Sequence, residues 1–89
     1  MLKNKDNYYC RVCGFQYDEP VWSSETHGSH DICICCECEF GYDDISIRAV
    51  REYRKQWLEE KKAQWSVPVL KPDNWNLEQQ LKQIPEQYR

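Results

Sequence analysis

Six cysteines in two groups are the residues of this sequence best suited to chemistry. The first group is Cys10-x-x-Cys13, followed directly by Gly14, a residue that tolerates the positive φ such a turn requires. The second group is the run Cys33, Cys35, Cys36 and Cys38. Structural zinc sites take four thiolate or imidazole ligands in a tetrahedron, and two C-x-x-C turns supply four with little strain. The pattern therefore predicts one structural Zn²⁺.

Three disulfide bonds are the alternative, and they would require an oxidising compartment. The stretch MLKNKDNYYC is charged and lacks the apolar segment of a signal peptide. No stretch approaches the roughly 18 apolar residues that a membrane span needs. We therefore expect a cytoplasmic protein with reduced thiols, in which the cysteines bind metal.

Spacing alone leaves the second pair of ligands open. Two C-x-x-C pairs are possible, Cys33 with Cys36 and Cys35 with Cys38. Each lies about twenty residues from the first pair, a spacing typical of zinc ribbons. The isoleucines on either side of Cys33 suggest a partly buried strand leading into the turn. They favour ligands that begin at Cys33.

The elements around the cysteines predict a small α+β metal-bound domain that covers residues 1–89. Serine, threonine, glycine and aspartate dominate 23–31 and indicate an exposed loop between two short strands at 14–22 and 37–44. The domain then has three parts: a zinc-ribbon-like part at 1–44, a long helix at 45–66, and an extended segment with a shorter C-terminal helix at 67–89.

Helical periodicity supports both helices. Val50, Tyr53 and Trp57 fall at helical spacing, and Asp43 and Asp44 precede the first turn, where the helix dipole favours negative charge. In the C-terminal segment Asn76 and Gln79 form a plausible capping box. Three apolar residues then share one helix face, which predicts that this helix folds back onto the rest of the chain: Leu77, Leu81 and Ile84.

Charge is distributed unevenly and disfavours nucleic acid as the partner. Residues 1–44 contain three basic and nine acidic residues, a net charge of −6, whereas 45–89 contain nine basic and six acidic residues, a net charge of +3. An acidic zinc-binding half opposes contact with phosphates. A basic stripe is confined to the long helix: Arg48, Arg51, Lys55 and Lys62.

No pattern in the sequence predicts an enzyme. A metal with four thiolate ligands has no open position for water, so the site is expected to be structural. Neither Cys35 nor Cys38 has a cationic neighbour in sequence that would activate it. His27 and His30 could replace a cysteine as ligand, but we interpret them as exposed loop residues because four cysteines suffice.

The strings YCRVCGF, ICICCECEFGYDD, EYRKQW and KPDNWNLEQQL resemble a family of small bacterial cysteine-rich proteins named for a CPCC motif. The resemblance covers about residues 8 to 84. It implies that Cys10, Cys13, Cys33 and Cys36 match the four ligand positions and that Cys35 is the extra cysteine of the motif. The sequence departs from that pattern at three positions, with Ile34 in place of proline, Glu37 in place of glycine and Cys38 in place of an aromatic residue.

A protein-binding module is the remaining class of function. Four tryptophans and six tyrosines exceed what a small core buries, and such residues are favoured at interfaces. The resemblance implies an immunity protein or antitoxin that neutralises a toxin by direct binding; a phage or host inhibitor of a defence protein and a zinc-ribbon nucleic-acid-associated or regulatory protein are the alternatives. The expected partner-binding surface is acidic and aromatic: Glu37, Glu39, Tyr42, Asp43 and Asp44.

Overall fold

The chain combines two cysteine-bearing turns, a polar hairpin and two helices, which confirms the predicted α+β class. The computed structural model describes residues 2–89, so Met1, with which the predicted domain begins, lies outside the described part. The strands are β1 (Trp22–Ser24) and β2 (His27–Gly28), and the α-helices are α1 (Ile47–Glu59) and α2 (Leu77–Leu81). Three 3₁₀ helices complete the fold: Leu2–Tyr8, Pro68–Leu70 and Glu86–Tyr88.

The two cysteine groups form two turns of the same construction, which we call the first knuckle (residues 9–16) and the second knuckle (residues 32–39). Each is opened and closed by a single antiparallel bridge, Tyr9 to Gln16 in one and Ile32 to Glu39 in the other. Each also contains the same two backbone hydrogen bonds. In the first knuckle, Cys10 N donates to Phe15 O and Gly14 N donates to Cys10 O. In the second knuckle, Cys33 N donates to Cys38 O and Glu37 N donates to Cys33 O.

The β-hairpin lies where the sequence predicts a loop, and the predicted strands at 14–22 and 37–44 are wrong in extent. Trp22 pairs with Gly28 and Ser24 with His27, with an irregularity between the two pairs. The two predicted ranges contain only Trp22, the first residue of β1, and the bridge residues Gln16 and Glu39. The hairpin escaped prediction because, apart from buried Trp22, its residues are polar and lack the apolar alternation of a half-buried strand.

Helix α1 is shorter than the predicted helix at 45–66. It begins after Ser46, whose hydroxyl oxygen accepts from Ala49 N at 3.0 Å, a typical N-cap. It ends at Glu59. Lys62 and Ala63 then adopt left-handed backbone with φ of 54° and 57°, and Trp57 Nε1 donates to Gln64 O at 2.9 Å. These turns redirect the chain and carry Trp65, which is 4% exposed, into the core.

The C-terminal segment packs against the knuckles. Asn76 caps α2 by accepting from Gln79 N at 2.9 Å, which is one of the two hydrogen bonds of the predicted capping box. Ile84 is buried and Leu77 and Leu81 pack against the core, so the predicted apolar face is confirmed as well.

The core contains the six cysteines with large apolar side chains around them, among them Trp22, Phe40, Val50 and Trp57. Arg54 of α1 donates to the backbone carbonyls of Arg11 and Val12 and thereby fixes the helix to the first knuckle. Within residues 2–89 no helix has both the length and the apolar character needed to span a bilayer.

Candidate metal centre

Four sulfur atoms, two from each knuckle, meet in the core. The Sγ atoms of Cys10, Cys13, Cys33 and Cys36 all lie within 4.8 Å of one another, and each of the four side chains is at most 1% exposed. They are the four ligands that the sequence predicts. Their clustering could bind a metal ion, which gives the predicted metal site a geometric basis.

The spacing of the sulfur atoms suits a metal ion better than a disulfide network. Cys10 Sγ lies 3.6 Å from Cys36 Sγ, and Cys13 Sγ lies 3.8 Å from Cys33 Sγ. Tetrahedral zinc, with zinc–sulfur bonds of about 2.3 Å, separates its sulfur ligands by about 3.8 Å. All six cysteines are free thiols. The donor set therefore fits a thiophilic cation such as Zn²⁺.

The second knuckle and Tyr17 orient the thiol of Cys33, one of the four candidate ligands. Its Sγ accepts hydrogen bonds from Cys35 N at 3.4 Å and from the Tyr17 hydroxyl at 3.2 Å. The same hydroxyl accepts from Ile34 N at 3.0 Å. Burial, followed by the nearby charge of Cys33, raises the pKa of Tyr17, so its hydroxyl remains a donor. Outer hydrogen bonds of this kind fix the direction of a metal ligand.

The pKa values of the four clustered cysteines are shifted in two opposite directions. Burial would raise the pKa of Cys10 and Cys33, but hydrogen bonds with the surrounding cysteines lower it, to about 6 for Cys10 and well below the usual value for Cys33. Burial, reinforced by hydrogen bonds to Cys10 and Cys33, raises the pKa of Cys13 and Cys36. Metal binding requires deprotonated thiols, so a divalent cation bound to the four sulfur atoms would displace their protons.

The two remaining cysteines have different neighbours. Cys35 Sγ accepts from the side-chain amide of Gln80 at 3.4 Å. Cys38 Sγ lies 3.6 Å from Cys10 Sγ and is completely buried. A role as a small core residue, in place of the aromatic residue of the CPCC pattern, would account for the burial of Cys38 but not for its contact with Cys10.

Gln80 is a site residue that the sequence analysis missed. It is 6% exposed, its Nε2 donates to Cys13 O at 3.1 Å, and its Oε1 accepts from Trp75 Nε1 at 2.6 Å. It links α2 to both knuckles. A signal was present, because Gln80 falls at helical spacing on the face formed by Leu77, Leu81 and Ile84, and a polar residue on an apolar face requires a buried partner.

Neither histidine belongs to the sulfur cluster. His27 and His30 are exposed, as the sequence predicts. His27 Nδ1 lies 3.1 Å from the Ser24 hydroxyl, and His30 Nδ1 lies 3.2 Å from Glu39 Oε2.

The predicted acidic surface is only partly exposed. Glu37 and Tyr42 are exposed, with Tyr42 at 69%, and Glu39 and Asp43 are half-buried. Asp44 is 0% exposed, its Oδ1 accepts from Gly41 N at 2.8 Å, and burial raises its pKa. This corrects the prediction for Asp44, because its side chain holds the turn at residues 41–44 together and cannot contact a partner.

Comparison with known proteins yields two curated relatives and no description of function. The chain is similar to the uncharacterized protein YoaQ of Bacillus subtilis (strain 168), with 37% identity over 58% of this chain and 58% of that protein. It is also similar to the uncharacterized protein YozI of the same strain, with 33% identity over 58% of this chain and 57% of the relative.

The chain thus spans less than two thirds of the length of these relatives. No protein-family model matches it, and no solved structure does. The resemblance to CPCC-type proteins therefore stays a prediction.

Proposed function

We propose that this protein is a zinc-stabilised, non-enzymatic binding module of the bacterial cytoplasm that acts by binding another protein, as an immunity or inhibitor protein does. The metal is assigned as one structural Zn²⁺ held by Cys10, Cys13, Cys33 and Cys36, since four thiolates suit zinc and leave no open coordination position. A cellular compartment that keeps thiols reduced fits six free cysteines.

The observation that carries the binding function is the exposure of large apolar side chains beside acids on the loop from the second knuckle to α1. Tyr42 is 69% exposed and Ile45 is 67% exposed, and the sequence between Glu37 and Asp43 supplies three acids whose side chains reach the surface fully or in part. Apolar anchors within a charged rim are typical of protein interfaces.

The charge of this surface favours a basic partner. Glu37 is paired with Lys61 at 3.5 Å, and both side chains are at least half exposed, so a partner's lysine or arginine could replace Lys61. Glu39 faces His30. A nuclease toxin with a basic substrate groove is a partner of suitable charge, and acidic residues at its rim would accelerate association.

The experiment is a charge reversal with a matched control. The partner is first captured from the native cell. The double variant Glu37→Lys/Glu39→Lys should associate with it at least several-fold more slowly than the parent at low salt, and high salt should diminish this difference in rate. The control Glu52→Lys/Glu59→Lys makes the same change in charge at exposed positions of α1 and should associate like the parent. Equal association of both variants and the parent would refute the proposed surface.

Exposed basic residues on α1 favour a second candidate, a nucleic-acid-associated protein. Arg48, Arg51 and Lys55 are exposed, although Arg51 also donates to Arg89 O at 3.0 Å. The test is a shift assay with short DNA and RNA duplexes at low salt. Binding that weakens with salt and is lost in Arg48→Ala/Lys55→Ala would favour this candidate over the protein-binding module.

A further inference from the structure

We infer that Cys38 is a fifth ligand-competent thiol of the metal centre, able to take the place of Cys36. The inference rests on the proposed metal site and extends it to a residue outside the predicted ligand set. Cys10 Sγ lies at the same distance from two sulfur atoms, 3.6 Å from Cys36 Sγ and 3.6 Å from Cys38 Sγ. Both distances approximate the sulfur–sulfur edge of a tetrahedral zinc site, about 3.8 Å.

The construction of the knuckles makes Cys38 unusual. Superposing the two turns by their hydrogen bonds places Cys38 at the position of Phe15 in the first knuckle. Phe15 turns its ring toward Tyr17 and Trp65, with centroids 4.9 and 5.4 Å away. Cys38 instead presents a thiol to Cys10. The first knuckle therefore offers two candidate ligands, Cys10 and Cys13, and the second offers three: Cys33, Cys36 and Cys38.

The backbone at Glu37 allows Cys36 and Cys38 to reach the same sulfur atom. Glu37 separates them and has left-handed backbone, with φ of 74°. The hydrogen bond from Cys33 N to Cys38 O, at 2.8 Å, holds Cys38 in the closing arm of the turn. Exchange of one ligand for the other thus requires side-chain rotation more than movement of the turn.

Cys36 and Cys38 are both buried, at 1% and 0% exposed, but Cys36 also borders an open cleft of about 300 Å³ that Lys61 and Trp65 line. A chelator or electrophile that enters this cleft would reach Cys36 once local motion exposes it, and Cys38 would then retain the metal. Cys35 is the weaker substitute, because its Sγ already accepts from the side-chain amide of Gln80 at 3.4 Å.

The experiment counts thiolate ligands with Co²⁺, whose sulfur-to-metal charge-transfer absorbance scales with their number. The parent should bind one Co²⁺ with four thiolates, and failure at this step would refute the metal centre itself. Cys36→Ser and Cys36→Ala should still bind one Co²⁺ at four-thiolate intensity, with affinity lowered about 10- to 100-fold. Cys36→Ser/Cys38→Ser should fall to three-thiolate intensity or lose the metal.

Cys36→Ser/Cys35→Ser is the matched control, and it should behave like Cys36→Ser. Two results would overturn the inference, provided that the parent binds Co²⁺. The first is loss of the four-thiolate spectrum in both single variants at Cys36, and the second is failure of those variants to fold with metal while Cys38→Ser folds.

Discussion

Gly14 and Glu37 occupy equivalent positions in the two knuckles, and both have left-handed backbone, with φ of 85° and 74°. The position follows the second cysteine of each C-x-x-C turn, and its amide donates to the carbonyl oxygen of the first cysteine. Glycine adopts this conformation freely, whereas a residue with a Cβ does so at a cost of about 1–2 kcal/mol. The second knuckle thus forms despite its glutamate.

Replacement of Glu37 by glycine should therefore stabilise the protein by about 1 kcal/mol, since relief of the left-handed strain outweighs loss of the exposed pair with Lys61. The measurement is the urea midpoint of the metal-loaded protein at a fixed excess of metal. Glu39→Gly is the control because Glu39 is not left-handed, and it should lose stability. A lower midpoint for Glu37→Gly than for the parent would contradict the role assigned to this backbone.

The first knuckle should not tolerate the reverse substitution. A Cβ at Gly14 would overlap the carbonyl oxygen of Gln80 in α2, in addition to the strain of its φ. We expect Gly14→Ala to destabilise the protein by at least about 2 kcal/mol. Denaturation of the metal-loaded variant measures this, and a loss below half a kcal/mol would show that α2 can move away from the knuckle.

Tyr17→Phe should weaken metal binding more than it disturbs the core. The substitution removes the donor to Cys33 Sγ and the acceptor for Ile34 N, and leaves the ring packing on Phe15 and Phe40. Loss of such an outer hydrogen bond typically lowers metal affinity about 10- to 100-fold. Competition with a chromophoric chelator measures the affinity. Tyr42→Phe, at an exposed position, should match the parent, and equal affinity of all three proteins would count against a tuning role for Tyr17.

Gln80→Ala should be far more harmful than the neighbouring substitution Gln79→Ala. The alanine at position 80 leaves Trp75 Nε1 and Cys13 O without their partner and opens a gap between α2 and the knuckles. We expect a loss of about 2–4 kcal/mol. Gln79 is exposed and contributes only its backbone to the cap, so its variant should stay within about 0.5 kcal/mol of the parent. Similar midpoints for the two variants would refute the linking role of Gln80.

Local patterns predicted the parts of this fold that depend on neighbouring residues. The cap at Asn76, the apolar face of α2 and the knuckle at Cys10 and Cys13 each follow from a few adjacent side chains. The contact between Gln80 and Cys13 joins residues 67 positions apart, and no local pattern encodes it.

The end of α1 does not follow from local residue types either, because Glu60, Lys61 and Lys62 are good helix formers. The helix ends where Trp57 Nε1 donates to Gln64 O and Trp65 enters the core. The burial of Asp44 is not evident from the sequence either, because an acid before a helix can face solvent or accept hydrogen bonds within its own turn. Asp43 and Asp44 accept from the amides of Glu39 and Gly41, within their own turn, and Ser46 caps the helix instead.

Removal of the metal should unfold nearly the whole protein, helices included. The six cysteines occupy the centre of the core, and α1 is attached to it by Val50, Trp57 and the hydrogen bonds of Arg54 to the first knuckle. A structural zinc contributes on the order of 10 kcal/mol to such small domains, more than their usual stability. Helix α1 has 13 residues, a length at which isolated helices are marginal in water.

A strong thiol-compatible chelator should therefore abolish the near-ultraviolet dichroism of the tryptophans and most of the helical far-ultraviolet signal together. Added Zn²⁺ should restore both signals, and added Mg²⁺, which prefers oxygen ligands, should restore neither. Retention of both signals after verified removal of the metal would refute the coupling between metal and fold, and loss of the near-ultraviolet signal alone would mean that α1 is stable without the knuckles.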